Sequence, residues 1–135
     1  MERWDAWTPE RFFYLFIGLA YLMVWVQALL MHWRGAFRFR VMWAPVIEGP
    51  ALSLMGVVFA FVHGGWLNTL FIIVFTLGAL GGLAGTYFHL KGIRRYIGGW
   101  TLRNFLAGPP PMLPLTFSAL SIGALLVYFA WHTGG

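Results

Sequence analysis

The stretch 67-LNTLFIIVFTLGALGGLAGTYFH-89 contains no Asp, Glu, Lys or Arg, and it is long enough to cross a lipid bilayer as one α-helix. About 20 consecutive apolar residues suffice for that crossing, because an α-helix rises about 1.5 Å per residue. Three further apolar runs, at residues 12–31, 44–62 and 113–131, have a similar length and composition. The sequence therefore predicts an all-α integral membrane protein with four transmembrane helices.

The composition of the whole chain supports a membrane environment. Of its 135 residues, 60% are hydrophobic and 10% are charged, whereas a soluble domain is usually about a quarter charged. We expect residues 1–135 to form a single domain. The absence of cysteine excludes disulfides, iron–sulfur ligation, thiolate zinc sites and covalent haem attachment.

The positive charges are placed between the hydrophobic runs, in predicted loops at residues 33–43 and 90–112. A net charge of +5 is compatible with nucleic-acid binding, but this placement is typical of the positive-inside rule, and we predict no nucleic-acid partner. Both loops are therefore predicted to be cytoplasmic, and both termini non-cytoplasmic. The charges concerned are Arg34, Arg38, Arg40, Lys91, Arg94, Arg95 and Arg103.

The connections between the runs predict an up-and-down four-helix bundle. Gly64 and Gly65 separate the second and third runs and indicate a tight antiparallel hairpin. Thr8 and Pro9 are a plausible N-cap and first residue for the first helix, which lacks the basic leader of a cleavable signal and should remain in the mature protein. We expect a multi-pass protein of a prokaryotic cytoplasmic membrane.

Each predicted helix has one histidine near its C-terminal end. Because successive helices run in opposite directions, His32 and His89 should share the cytoplasmic end, and His63 and His132 the outer end. Imidazole is a frequent axial ligand of haem iron, so a facing pair could hold one haem. Alternatively, each histidine simply interacts favourably with the helix dipole or the membrane interface.

Small residues lie beneath some of these histidines. Gly78, Gly82 and Gly85 precede His89 by eleven, seven and four residues, which places them on one helix face. Such a face accepts either the backbone of a neighbouring helix or a flat cofactor such as a porphyrin. His63 follows Gly56 and Ala60 in the same way, so we regard His89 and His63 as the best candidates for iron ligands.

This layout resembles the four-helix cytochromes b and the haem-bearing membrane anchors of respiratory dehydrogenases, which carry paired histidines on neighbouring helices. The resemblance covers the whole chain as architecture, without a family-specific motif. It implies a b-type haem bound by His89 and a partner histidine, with electrons exchanged with the quinone pool. The two histidine layers would stand roughly 30 Å apart, which favours one haem over two. The sequence leaves haem and chlorophyll as alternatives.

Glu48 is the remaining informative residue, because it lies in the opening turns of an otherwise apolar helix. Acidic groups at membrane depth often mark proton or ligand sites, so a proton-handling or quinone-site role is one interpretation. The other is structural, with the carboxylate stabilised by the helix N-terminus and by Arg34, Arg38 or Arg40.

Two functions follow from these patterns. The chain is either a haem-binding electron-transfer subunit of a respiratory-type complex, or a cofactor-free accessory subunit that stabilises a larger membrane complex. It contains no phosphate-binding loop, nucleophile elbow or H-E-x-x-H motif, so we expect at most a non-catalytic subunit of an oxidoreductase. Lipid and other membrane subunits are the expected partners.

Overall fold

The computed structural model describes residues 1–132, which form four long helices and a few short elements. Two short strands, Glu2–Arg3 (β1) and Val62–His63 (β2), pair antiparallel. The helices are Pro9–Arg34 (α1), Ala44–Phe59 (α2), Trp66–Gly92 (α3), Leu102–Ala107 (α4) and Met112–Val127 (α5). A 3-10 turn at Arg40–Trp43 precedes α2, and π-helical turns at Ile93–Ile97 and Tyr128–His132 extend α3 and α5. With these extensions, α1, α2, α3 and α5 are long and apolar enough to cross a membrane.

The ends of the helices depart from the predicted boundaries, most clearly after α2 and after α3. α2 ends at Phe59 instead of Val62, because Val62 pairs with Arg3 in the strand contact. The segment 90–112, predicted as a loop, contains the end of α3 and the short helix α4. Gly98, with a φ of 109°, ends the π-helical extension of α3. The Thr101 hydroxyl caps α4 by accepting a hydrogen bond from the Asn104 N–H.

The start of α1 follows the prediction. The Thr8 hydroxyl accepts a hydrogen bond from the Arg11 N–H at 3.2 Å, and Pro9 occupies the first helical turn. The C-terminal tail, predicted to be non-cytoplasmic, includes residues 133–135, which lie outside the described residues.

The four long helices are arranged as two close pairs. α1 packs mainly against α2 and α3 mainly against α5, while the α1–α5 and α2–α3 contacts are less extensive. α1 and α3 therefore lie diagonally across the bundle. Below, the "loop end" is the end that carries residues 35–43 and 93–111, and the "terminal end" carries residues 1–8, 60–65 and His132.

Small residues bring the helices of the first pair together. A Cβ added to Gly56 would lie 2.8 Å from the Cα of Gly18, so the two backbones touch at this level. The Ser53 hydroxyl donates a hydrogen bond to the Gly18 carbonyl at 2.8 Å. The contact between α1 and α2 thus combines close backbone approach with a polar bond, which are the main sources of helix association in lipid.

The second pair uses the predicted glycine face of α3. Gly78 and Gly82 lie against Ser121 and Ser118 of α5, whose hydroxyls a Cβ at either glycine would overlap. Ser118 also donates a hydrogen bond to the Ala79 carbonyl at 2.7 Å. At these two levels the glycines accommodate a neighbouring helix, which is the first of the two uses considered for them.

The outer surface of the bundle is apolar. About 28% of the most hydrophobic stretch of each long helix is buried, and the remainder is partly or fully exposed, with many large aliphatic and aromatic side chains. Water would solvate such a surface poorly, so the environment that it fits is lipid. The interior is filled by Tyr14, Tyr21, Phe59, Phe71 and Phe75, all fully buried.

We predict that Gly56→Ala weakens the bundle by about 1–3 kcal/mol, because the added methyl overlaps the α1 backbone and forces the pair apart. The measurement is the free energy of unfolding in mixed detergent micelles. Gly123→Ala is the matched control, since its Cβ would meet Phe13 at an ordinary 3.5 Å. Equal stability of the two variants would show that the α1–α2 contact is not tightly packed.

Candidate functional site

A cavity of about 680 Å³ opens at the loop end of the bundle. All four long helices contribute to its walls, together with the segment that contains Pro109 and Pro110. Alanine, glycine, proline and methionine side chains make most of the lining, while His32, His89 and Glu48 provide polar groups. Cofactor sites in proteins have this volume and character, with a few convergent polar groups in apolar walls.

His32 and His89 face each other at this cavity from diagonally opposed helices. Their ring centroids are 6.3 Å apart and their planes are inclined by 71°. The sequence predicted that these two residues share one end of the bundle, and the structure brings them together there.

Both imidazoles are held in one orientation by backbone carbonyls. The Nδ1–H of His32 donates to the Ala28 carbonyl at 2.8 Å, and that of His89 donates to the Pro110 carbonyl at 2.7 Å. In a neutral imidazole this leaves Nε2 without a proton and able to act as a ligand. Neither Nε2 has a hydrogen-bond partner within residues 1–132, and neither is sealed from the surface. The pair therefore offers two free nitrogen ligands.

The lower part of the glycine face reaches the same cavity. Gly82 and Gly85 border the cavity, although Gly82 is covered by Ser118 as closely as Gly78 is covered by Ser121 and Leu52. Pro114 of α5 lies against Gly85, 2.9 Å from the position of a Cβ there. The predicted glycine face therefore serves mainly as a contact with α5, and it borders the cavity at Gly82 and Gly85.

Glu48 lies in the same cavity, on the wall formed by α2. Its carboxylate faces Gly81, where any side chain would overlap it. Within the described part of the chain it makes no ion pair or hydrogen bond, although the sequence indicated pairing with Arg34, Arg38 or Arg40. The structure does not show the pairing with an arginine, and stabilisation of the carboxylate by the helix N-terminus stays a prediction.

Basic residues line the mouth of the cavity. Arg38 belongs to the loop after α1, while Lys91 and Arg95 lie on α3 and its π-helical extension. The mouth is thus cationic, whereas the walls below it are mostly apolar. Such a gradient suits a ligand with an apolar body and an anionic edge.

The second histidine pair, at the terminal end, is packed into protein. His63 and His132 have ring centroids 5.0 Å apart, and the Trp4 ring lies 4.4 Å from His63. Trp4 is fixed by its indole N–H, which donates to the Phe59 carbonyl at 2.9 Å. No pattern in the sequence indicates that Trp4 packs against a histidine.

Both ring nitrogens of His132 are occupied. Its Nδ1 lies 3.1 Å from the Glu10 carboxylate, which also accepts from the Tyr14 hydroxyl, and its Nε2 lies 3.3 Å from the Asn68 amide. The Asn68 carbonyl oxygen in turn accepts from the Gly64 N–H. These bonds tie α1, α3 and α5 together, so His132 has a structural role in the described chain.

His63, which we ranked with His89 as an iron ligand, lies at the opposite end of the bundle from it. The two cannot share one ion, and the partner of His89 is His32. Burial lowers the pKa of the His63 imidazole, and the neighbouring His132 lowers it further.

Two histidines are too few for most bare metal ions, which need three or more protein ligands. No group of three or more His, Cys, Asp or Glu able to hold an ion occurs among residues 1–132. A porphyrin supplies four nitrogen ligands itself and requires one or two more from the protein. The donor set at the loop end fits a metalloporphyrin.

We predict that Trp4→Ala raises the pKa of His63 toward the ordinary value of about 6.5, because removal of the indole exposes the imidazole to water. Proton NMR of the histidine rings in micelles measures this titration. In the wild type the pKa of His63 is lower in the folded chain than in the unfolded chain. As the pH drops, the unfolded chain therefore binds this proton first, and the free energy of unfolding should decrease below about pH 6.5. An unchanged pKa in the variant would assign the shift to His132 instead.

Comparison of the chain with protein-family models, with curated proteins and with solved structures finds no match in any of the three.

Proposed function

We propose that this chain is a membrane-embedded electron-transfer subunit that binds one b-type haem between His32 and His89. The observation that carries the proposal is the close approach of the two imidazole rings at the cavity, each bonded through Nδ1 to a backbone carbonyl and therefore with Nε2 available. Haem supplies one-electron redox chemistry when bound. The chain supplies the ligands, their orientation and an apolar enclosure.

The spacing of the two rings would allow both imidazoles to bind one metal ion held between them. Nitrogen–metal bonds of about 2 Å on each side, with about 1 Å from each nitrogen to its ring centroid, give a centroid separation of about 6 Å. The observed separation is 6.3 Å. Two imidazoles bound to one metal ion would be free to rotate about their bonds to it, so the inclination of 71° is compatible with this arrangement.

The surroundings of the two imidazoles suit the rest of the ligand. Glycine, alanine and proline residues contribute much of the cavity wall, so its side-chain bulk is small. Arg38, Lys91 and Arg95 at the mouth would pair with the two propionates of a haem. The backbone carbonyls on both Nδ1 atoms favour the tautomer that ligates through Nε2.

The wider setting follows from topology and charge. The loop end carries the basic segments, so we place it in the cytoplasm, with both termini on the outer face of a prokaryotic cytoplasmic membrane. One haem near the cytoplasmic surface would exchange electrons with membrane quinones and with a partner subunit docked at that surface. The alternative, a cofactor-free accessory subunit, is supported by the glycine contacts that serve only helix packing.

We predict that the protein purified from haem-supplied cells shows a Soret band and, after dithionite reduction, a sharp α band. His32→Ala and His89→Ala should each reduce bound haem by at least roughly tenfold, because each removes an iron ligand. The measurement is the haem-to-protein ratio from the pyridine haemochrome spectrum.

His63→Ala and His132→Ala are the matched controls, since these residues lie at the terminal end in contact with Trp4. Both should retain haem at the wild-type ratio. Protein that folds in micelles but shows only tryptophan absorbance would support the accessory-subunit alternative instead.

A further inference from the structure

Glu48 has no electrostatic partner although it lies inside an apolar part of the bundle. No Lys, Arg or His of the described residues lies within ion-pair distance of its carboxylate. Gly81 on α3 provides the space that the carboxylate occupies. Charged groups at such depth are unfavourable unless they are paired or hydrated, so an unpaired acid here indicates a functional role.

The position of Glu48 relative to the histidines is set by the helices. Gly81, which it faces, precedes His89 by two helical turns, so the carboxylate lies about 12 Å deeper in the bundle than that imidazole. Glu48, His32 and His89 nevertheless line one continuous cavity, which opens at the loop end. The cavity therefore connects the carboxylate with both the proposed haem site and the aqueous phase.

Several titratable groups face this space, and each has a defined place. From α1 this is His32. Tyr21 of α1 is fully buried and does not line the cavity, and its hydroxyl is bonded to Ser121 and to the Phe117 carbonyl. The loop after α1 contributes Arg38. α3 and its extension contribute His89, Lys91, Arg95 and Tyr96, while the lining residues from α5 carry no titratable side chain. The basic groups lie at the mouth, so they do not neutralise Glu48.

We infer that Glu48 is the proton-exchanging group of this site, taking up one proton when an electron enters the site and releasing it when the electron leaves. This inference rests on the proposed function. The added negative charge in an apolar cavity favours protonation of the nearest carboxylate, and neutralisation by the proton stabilises the reduced site in turn. The cavity provides the path from water.

Electrons and protons balance when a quinol is the reductant. One quinol releases two electrons and two protons and becomes a quinone. Two successive one-electron reductions of the site take the electrons, and in each the Glu48 carboxylate becomes a carboxylic acid by binding one proton. When the electron passes to the acceptor, that proton returns through the cavity.

A first experiment tests the carboxyl group without haem. Dicyclohexylcarbodiimide enters membranes and reacts with protonated carboxylic acids, and peptide mass spectrometry locates the adduct. We expect labelling at Glu48 that declines as the pH rises, and at least roughly tenfold less labelling at Glu10, which is hydrogen-bonded to Tyr14 and His132. Absence of an adduct at Glu48 would overturn the inference.

A second experiment measures coupling to the electron. The midpoint potential of the haem should fall by about 59 mV per pH unit across part of the range from pH 5 to 9, the value for one proton per electron. In Glu48→Gln the slope should be close to zero, while Glu10→Gln keeps the wild-type slope.

The outcomes separate the two proposals. Haem binding with a potential independent of pH in the wild type would overturn the role of Glu48 and leave haem binding intact. Haem binding with an unchanged slope in Glu48→Gln would assign the proton to another group. Failure to bind haem would remove both proposals, whatever the carbodiimide label shows.

Discussion

The structure depends on two close helix pairs, each held by small residues. In lipid, apolar side chains gain little from meeting each other, so helices associate through close packing and interhelical hydrogen bonds. The α1–α2 pair has both at Gly18 and Ser53, and the α3–α5 pair has both at Gly82 and Ser118. The two pairs meet along a less extensive contact, and that contact is where the bundle opens into a cavity at the loop end.

The two ends of the bundle differ in how their histidine pairs are bonded. At the terminal end the N-terminal segment folds back. The Trp4 ring contacts His63, and the Glu10 carboxylate is hydrogen-bonded to His132. At the loop end no equivalent segment, within residues 1–132, bonds to the Nε2 atoms of His32 and His89. The same residue type therefore acts as a structural link at one end and remains available as a ligand at the other.

The sequence predicted the features that follow from length, charge and helix periodicity. Four apolar runs indicated the helices, and antiparallel order indicated which histidines share an end. It could not predict that Trp4 covers His63, because this contact joins segments about 60 residues apart in the chain. Nor could it predict that Glu48 forms no ion pair with an arginine of residues 1–132, since that depends on the rotation of α2 against α3. The carbonyl of Pro110 as partner of His89 gave no sequence signal, because every residue has such a group.

The central claim is that imidazoles from two diagonal helices ligate one iron. Low-temperature electron paramagnetic resonance of the oxidised, haem-loaded protein tests it directly, because the spin state of ferric iron reports the number of strong axial ligands. We predict a low-spin ferric signal in the wild type that is replaced by a high-spin signal in His32→Ala. A high-spin signal in the wild type, or a low-spin signal that survives in the His32→Ala/His89→Ala double variant, would contradict the account.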